Sequence, residues 1–350
     1  MDRNYYINLA RSGLRMPIGA DLVLREKPDA EAILHDGRRL GMVIEEAARR
    51  YRTPLAIPHM DLEVEKASLL LAMGVPPGEV RTHRLAGCPD KSTVALAKER
   101  LEGPPDPRLR AQIDAVAYVS SVPDLLPMGM AIGPFSLMTK LLADPITPIY
   151  LAGSGVTAED DEDVRAVEVA LELATVTILR SVRLQARAGA KAVVIAEPAA
   201  NQVYLSPRQM EQGSDVFERY VMQHNGRIKQ ALEEEGVDLM FHCCGELTDE
   251  MVRSFCTLRP VILSLGSSRR LWEDAAIVPK DVVLYGNLPT KRFYSDDLVT
   301  DAEVRRMAAE LTARMRDAGH PFILGSECDV LSVPGCEQTI KAKVAAFMEA

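Results

Sequence analysis

Long hydrophobic runs are missing from this chain: no apolar segment approaches the roughly 20 residues that a membrane-spanning helix needs. Its start, Met1-Asp2-Arg3-Asn4-Tyr5-Tyr6, lacks the apolar stretch of a secretory signal. The sequence therefore predicts a soluble, cytoplasmic protein. Cysteine is sparse, six in 350 residues. That is too few for a disulfide framework, and in a cytosolic setting the thiols are expected to be reduced. Aromatic residues make up only 5%, with a single Trp, so a core must be built from Ala, Val, Leu, Ile and the 15 Met residues. Basic residues are outnumbered, 41 Lys and Arg against 50 Asp and Glu for a formal net charge of -9, which argues against a broad nucleic-acid-binding surface.

Repeats, low-complexity tracts and polar linkers are also absent, so residues 1–350 read as a single domain. What is present is an alternation of helix and strand, clearest in the C-terminal half. A helical pattern from about Asp160 to Ala188 ends at Gly189, and the short β-branched run Ala192–Ala196 reads as a buried strand. The alternation then repeats. Ser206-Pro207 opens a helix to about Glu235, Val237–Phe241 is a strand, Thr248–Phe255 a helix, and Pro260–Leu265 and Val282–Gly286 are strands. A helix over Asp301–Ala318, a last strand over Pro321–Gly325 and a helix over Glu337–Phe347 complete the pattern. Apolar segments at Ile18–Leu24, Pro54–Ile57, Ala115–Val119 and Leu126–Ile132 bring the strand count close to eight.

Strands alternating with helices imply parallel pairing through helical crossovers. A closed eight-fold barrel and an open doubly wound sheet both fit. No Gly-x-Gly-x-x-Gly turn follows the first strand, which favours the (β/α)8 TIM barrel, with a short N-terminal extension and its active site at the C-terminal ends of the strands.

His242-Cys243-Cys244-Gly245 directly follows a predicted strand. Residues two apart in an extended segment share a face, so His242 and Cys244 can point to one metal ion while Cys243 points away. The last strand leads into Gly325-Ser326-Glu327-Cys328-Asp329, and in a barrel its end can bring Cys328 to the same place. One imidazole and two thiolates suit Zn(II) better than Mg(II) or Ca(II). Three protein ligands leave a position for water or substrate, as in a catalytic site, and no Cys-x-x-Cys pair is present to make a structural one. Glu197, at the end of its own strand, and Glu327 are acidic candidates for a fourth ligand, although each taken singly reads better as a solvated or salt-bridged carboxylate. Cys88, Cys256 and Cys336 read as ordinary small buried residues.

His242-Cys243-Cys244-Gly245, the distant Cys328 and Gly133-Pro134-Phe135-Ser136-Leu137 together resemble the uroporphyrinogen decarboxylase superfamily, and within it the zinc-dependent corrinoid methyltransferase branch. Met60-Asp61-Leu62-Glu63-Val64-Glu65, Glu197-Pro198-Ala199-Ala200 and Gly286-Asn287-Leu288 are weaker matches, and the likeness runs from about residue 10 to 348. The resemblance implies a barrel whose zinc is held by His242, Cys244 and Cys328, facing a corrinoid carried by a partner protein. It also implies methyl transfer between that corrinoid and a small methyl donor or acceptor, read here as a thiol. No Asp-x-His-x-x-Gly signature occurs, so the corrinoid would arrive on another chain. Asp61 is expected to contact substrate, with a helix N-cap before Leu62 as the structural alternative. Glu65, one turn on, carries the same expectation, whereas His59 reads as a satisfied structural histidine. Surface helices of this kind permit a homodimer.

Two other functions stay open. A tetrapyrrole decarboxylase needs arginines to clamp carboxylates, and Arg11-Ser12-Gly13-Leu14-Arg15 keeps the spacing of that family's arginine pair without its surroundings. Such an enzyme needs no metal, which leaves the His-Cys-Cys set without a role. A noncatalytic zinc- or corrinoid-binding protein is the third reading.

Overall fold

The computed structural model describes residues 2–350. Eight parallel strands form one curled sheet: β1 (Arg15–Ile18), β2 (Leu55–Ala56), β3 (Leu126–Ile132), β4 (Ala192–Ala196), β5 (Asp238–Cys243), β6 (Ile262–Leu265), β7 (Val283–Leu288) and β8 (Phe322–Asp329). Their order is β1-β8-β7-β6-β5-β4-β3-β2, with helices in every crossover. This is the (β/α)8 barrel as a single domain.

Alternation along the strands sorts the core into two layers. Met16, Met128, Met130, Val194, Met240, Ile262, Tyr285 and Ile323 fill the barrel interior. Val193, Ile195, Phe241, Leu263 and Leu284 pack outward against the helices. Methionine thus supplies much of the inner core, where its unbranched chain fills irregular space in place of aromatic rings.

The N-terminal extension is the helix Arg3–Arg11, which closes the N-terminal end of the barrel. Arg3 donates to the carbonyls of Pro260 and Asp281, just ahead of β6 and β7, and the Tyr6 hydroxyl donates to Asp238 at 2.8 Å.

The barrel has a seam. Among the described residues β1 and β2 share no strand pairing, and β2 meets β3 only at Leu55 and Ala56. The upper edge of β3 is therefore satisfied by side chains. Gln185 binds both the N–H and the carbonyl of Met130 at 2.8 and 2.9 Å, and Gln112 donates to the same carbonyl. Two buried amides replace a strand, because an unpaired buried backbone group costs as much as a lost hydrogen bond.

Several expectations are corrected. The first strand is Arg15–Ile18, not Ile18–Leu24: Gly19 at φ +83° turns the chain, and Asp21–Leu24 is helical. Ala115–Val119 belongs to the helix Pro107–Ser120, whose buried residues Leu109, Gln112, Ile113, Val116 and Val119 recur at helical spacing. The long helix expected over Ser206–Glu235 is interrupted. Pro207–Glu211 ends near Gly213 (φ +90°), and the chain re-enters helix through a π turn at Glu218–Met222 before Gln223–Glu234. The last strand extends to Asp329, so Cys328 lies within it rather than beyond it.

Candidate metal centre

In β5, Met240 faces the barrel interior and Phe241 the helices, so the pleat turns His242 inward and Cys243 outward. Cys243 is fully buried in the outer core, its thiol directed at the carbonyl of Ala200, and burial pushes that thiol up. Cys244, one residue past β5, returns to the inner side. Curvature of the sheet carries β8 round to meet it. The ligand atoms of His242, Cys244 and Cys328 all lie within 4.8 Å of one another.

His242 is completely buried. Its Nδ1 meets the hydroxyl of Ser264 on the adjacent strand β6 at 2.8 Å, whereas Nε2 has no hydrogen-bond partner. A buried nitrogen without a partner is costly. A tautomer with Nδ1–H on Ser264 leaves the Nε2 lone pair free for a cation. The hydrogen bond from Cys328 pulls the Cys244 thiol far down, with help from His242 and Lys291, and the same contact pushes Cys328 up. Burial opposes the charge on Lys291, but Cys244, Glu327 and Cys328 outweigh it and hold the ammonium above its ordinary value. Met60 closes another side, with its sulfur 3.9 Å from that of Cys328.

Ser264, Lys291 and Met60 were not singled out in the sequence. Ser264 had a signal, as the one polar residue in an otherwise apolar strand. Lys291 had only its position after a strand end, and Met60 only its place at the head of the Met60–Glu65 match.

The remaining expected residues go elsewhere. Asp61 lies at the top of the seam, buried, and receives Arg108 through Nη2 at 2.5 Å and Nε at 2.7 Å. It also accepts from the N–H of Glu63, while the helix begins at Val64. His59 is not the satisfied residue anticipated: its Nδ1 is buried without a partner, and Nε2 stands 3.8 Å from Asp61. Glu65 is fully buried between its helix and β3, accepting from Ser181 at 2.8 Å and from the N–H of Ile132 at 3.5 Å. Burial pushes its carboxyl up to about 7.

Glu197, expected at the reacting centre, is neither solvated nor salt-bridged. Its carboxylate points to the helix layer, where it accepts from the N–H of Ser136 at 2.5 Å and from Asn225 at 2.9 Å, and burial raises its pKa. The Ser136 hydroxyl in turn accepts from the N–H of Ala199. Gly133–Leu137 and Glu197–Ala200 are thus two halves of one lock, a buried carboxylate on the first turn of the helix Pro134–Leu141. A Cβ at Gly133 would fall 2.0 Å from Glu197 Oε2. Glu327 accepts from the Ser267 hydroxyl at 2.6 Å and from the N–H of Lys291, 3.9 Å from the Lys291 ammonium. Arg15 starts β1 at the opposite end of the barrel and donates to the carbonyl of Phe347 and a terminal carboxylate oxygen of Ala350.

The donor set fits a thiophilic divalent cation: one imidazole nitrogen and two sulfurs, with a fixed and otherwise unpartnered Nε2 among them. The family profile described as Uroporphyrinogen decarboxylase (URO-D) matches residues 43–350. No curated protein matches the chain in sequence. Among solved structures, a methyltransferase from Methanosarcina mazei is similar, with 16% identity and a TM-score of 0.67 over 99% of this chain and 98% of that one. At that identity the likeness is one of fold. The profile match begins later than the expected residue 10, leaving out β1 and the N-terminal helix, but it takes in seven of the eight strands and His242, Cys244 and Cys328. The chain belongs to the uroporphyrinogen decarboxylase family.

Proposed function

We propose that the protein is a zinc-dependent methyltransferase that moves a methyl group between a corrinoid on a partner protein and a small substrate, read as a thiol. The observation that carries this reading is the cluster of His242, Cys244 and Cys328 at the C-terminal face, with His242 Nε2 buried and unpartnered. Family membership indicates an enzyme, and the fold is shared with a methyltransferase.

In this reading His242, Cys244 and Cys328 hold Zn(II), and Ser264 fixes the imidazole that serves it. When bound, zinc would acidify a substrate thiol or act as a Lewis acid on a methyl donor. Two thiolates plus a substrate sulfur would make the centre formally anionic, and Lys291 offers compensating charge. Met60 shields the Cys328 side with an apolar wall. Val203, Tyr294, Leu298 and Leu331, exposed on loops that follow β4, β7 and β8, provide apolar surface suited to a partner bearing a macrocycle.

The decarboxylase reading is less well supported. Arg15 is committed at the far end of the barrel, and Arg11 stands beside it, away from the C-terminal face.

Metal analysis with a methyl-transfer assay tests the proposal. About one zinc per chain is expected, lost in Cys244→Ser and Cys328→Ser with the circular dichroism unchanged. Small thiols should be methylated as the methylcorrinoid absorbance decays. Activity in metal-free protein would overturn the assignment. Zinc-loaded protein that converts uroporphyrinogen to coproporphyrinogen would establish the decarboxylase instead, and zinc binding with neither reaction would mark a noncatalytic binder.

A further inference from the structure

We propose that the N-terminal end of the barrel carries a second binding site, for a small multivalent oxyanion. A cavity of about 740 Å³ opens there, beside the ends of β1 and β8 that lie farthest from His242. Arg11 closes the N-terminal helix, Arg15 begins β1, Lys280 precedes β7 and Arg316 sits in the last turn of the helix Asp301–Asp317. All four line the cavity, and no Asp or Glu side chain does.

Four cations around one hollow repel one another, and their field is focused by the low-dielectric walls. Elsewhere this acidic chain often seats arginines against carboxylates, as in Arg50 with Glu26 and Arg227 with Glu172. Here that compensation is missing for three of the four. Arg15 donates to the carbonyl of Phe347 and to a terminal carboxylate oxygen of Ala350, whereas Lys280 donates only to the backbone carbonyls of Ala318 and Gly319 at 3.1 and 3.2 Å. Those last bonds fix the Lys280 side chain in place without neutralising it. Arg11 and Arg316 have no ion pair among the described residues.

The lining carries a second, independent sign of a ligand. The Thr312 hydroxyl, on a residue that lines the cavity, is buried without a hydrogen-bond partner. A polar atom left so in a native protein calls for a partner. An anion with several oxygens, such as a pyrophosphate or tricarboxylate group, would answer the guanidinium forks and the hydroxyl together. A ligand at this end of the strands cannot touch the metal centre, so the site serves regulation or anchoring and does not depend on the methyl-transfer reading.

Calorimetric titration of the full-length protein with inorganic pyrophosphate and, separately, with citrate tests this and distinguishes a phosphate from a carboxylate ligand. One saturable site per chain is expected for at least one of them. Its affinity should fall by about tenfold or more in the Arg11→Ala/Arg316→Ala double variant. Binding should persist in Cys244→Ser, which removes chelation at the metal centre as a cause, and in Arg38→Ala/Arg253→Ala, which removes two exposed arginines elsewhere. Absence of saturable binding by both anions overturns the proposal. So does equal affinity in the Arg11/Arg316 variant, or an equal loss in either control.

Discussion

Replacement of Glu65 by Gln should invert in its effect on stability as the pH is raised. The wild-type carboxyl is fully buried, and burial lifts it from 4.5 to about 7. Below about pH 4.5 the group is protonated in both the folded and the unfolded chain. Between 4.5 and 7 the unfolded chain ionises while the folded one keeps its proton, so folding loses stability as pH rises, and above 7 the loss is complete. That gap corresponds to about 3 kcal/mol, an order-of-magnitude figure. Gln never ionises, but its amide must place an NH2 where Glu65 accepts either from Ser181 or from the N–H of Ile132. That mismatch costs about 1 kcal/mol at every pH. Glu65→Gln should therefore be less stable than wild type by about 1 kcal/mol at pH 4.5 and more stable by about 2 kcal/mol at pH 8. Urea unfolding of both proteins across this range measures the difference, and other titrating groups cancel in it. A difference that stays flat with pH, or that turns against Gln at high pH, would refute the account of Glu65 as a buried structural carboxyl.

Three further outcomes are expected. Ser264→Ala should weaken zinc binding by about 10- to 100-fold, read by competition with a chromogenic chelator, because the imidazole loses the partner that sets its tautomer. Arg108→Ala leaves the Asp61 carboxylate buried and unpaired, and should lower stability by about 2 kcal/mol in chemical denaturation, less than for a wholly buried pair since Arg108 is partly exposed. Glu197→Leu strands the N–H of Ser136 and the amide of Asn225 and should cost about 3 kcal/mol of stability, while zinc content measured by mass spectrometry stays unchanged; loss of zinc without loss of stability would return Glu197 to the reacting centre.

The features most readable from sequence were those set by short-range periodicity. A β-branched run such as Ala192–Ala196 between capped helices reads as a buried strand with no knowledge of its neighbours. His242 and Cys244 could be placed on one face because the pleat is local. Ala115–Val119 misled because a short apolar run looks the same on a helix face and in a buried strand, and only its neighbours Leu109 to Ile113 reveal the helical spacing. Glu197 misled for a different reason. Its position at a strand end is the usual place for a catalytic group, but one residue of alternation sends its side chain to the helices rather than to the barrel axis.

By itself, then, the sequence determined the parallel β/α architecture and the soft His-x-Cys pair, because both follow from spacing along the chain. Tertiary structure decided what the distant residues do. Curvature of the sheet brings Cys328 to Cys244, neighbouring strands set Ser264 on His242, and a two-residue β2 leaves β3 to be closed by Gln112 and Gln185. The sparse cysteines show the division most plainly. Local pleating separates Cys243 from Cys244, but only the closing of the barrel joins Cys244 to Cys328, since side-chain chemistry at a site depends on distances that chain separation does not encode.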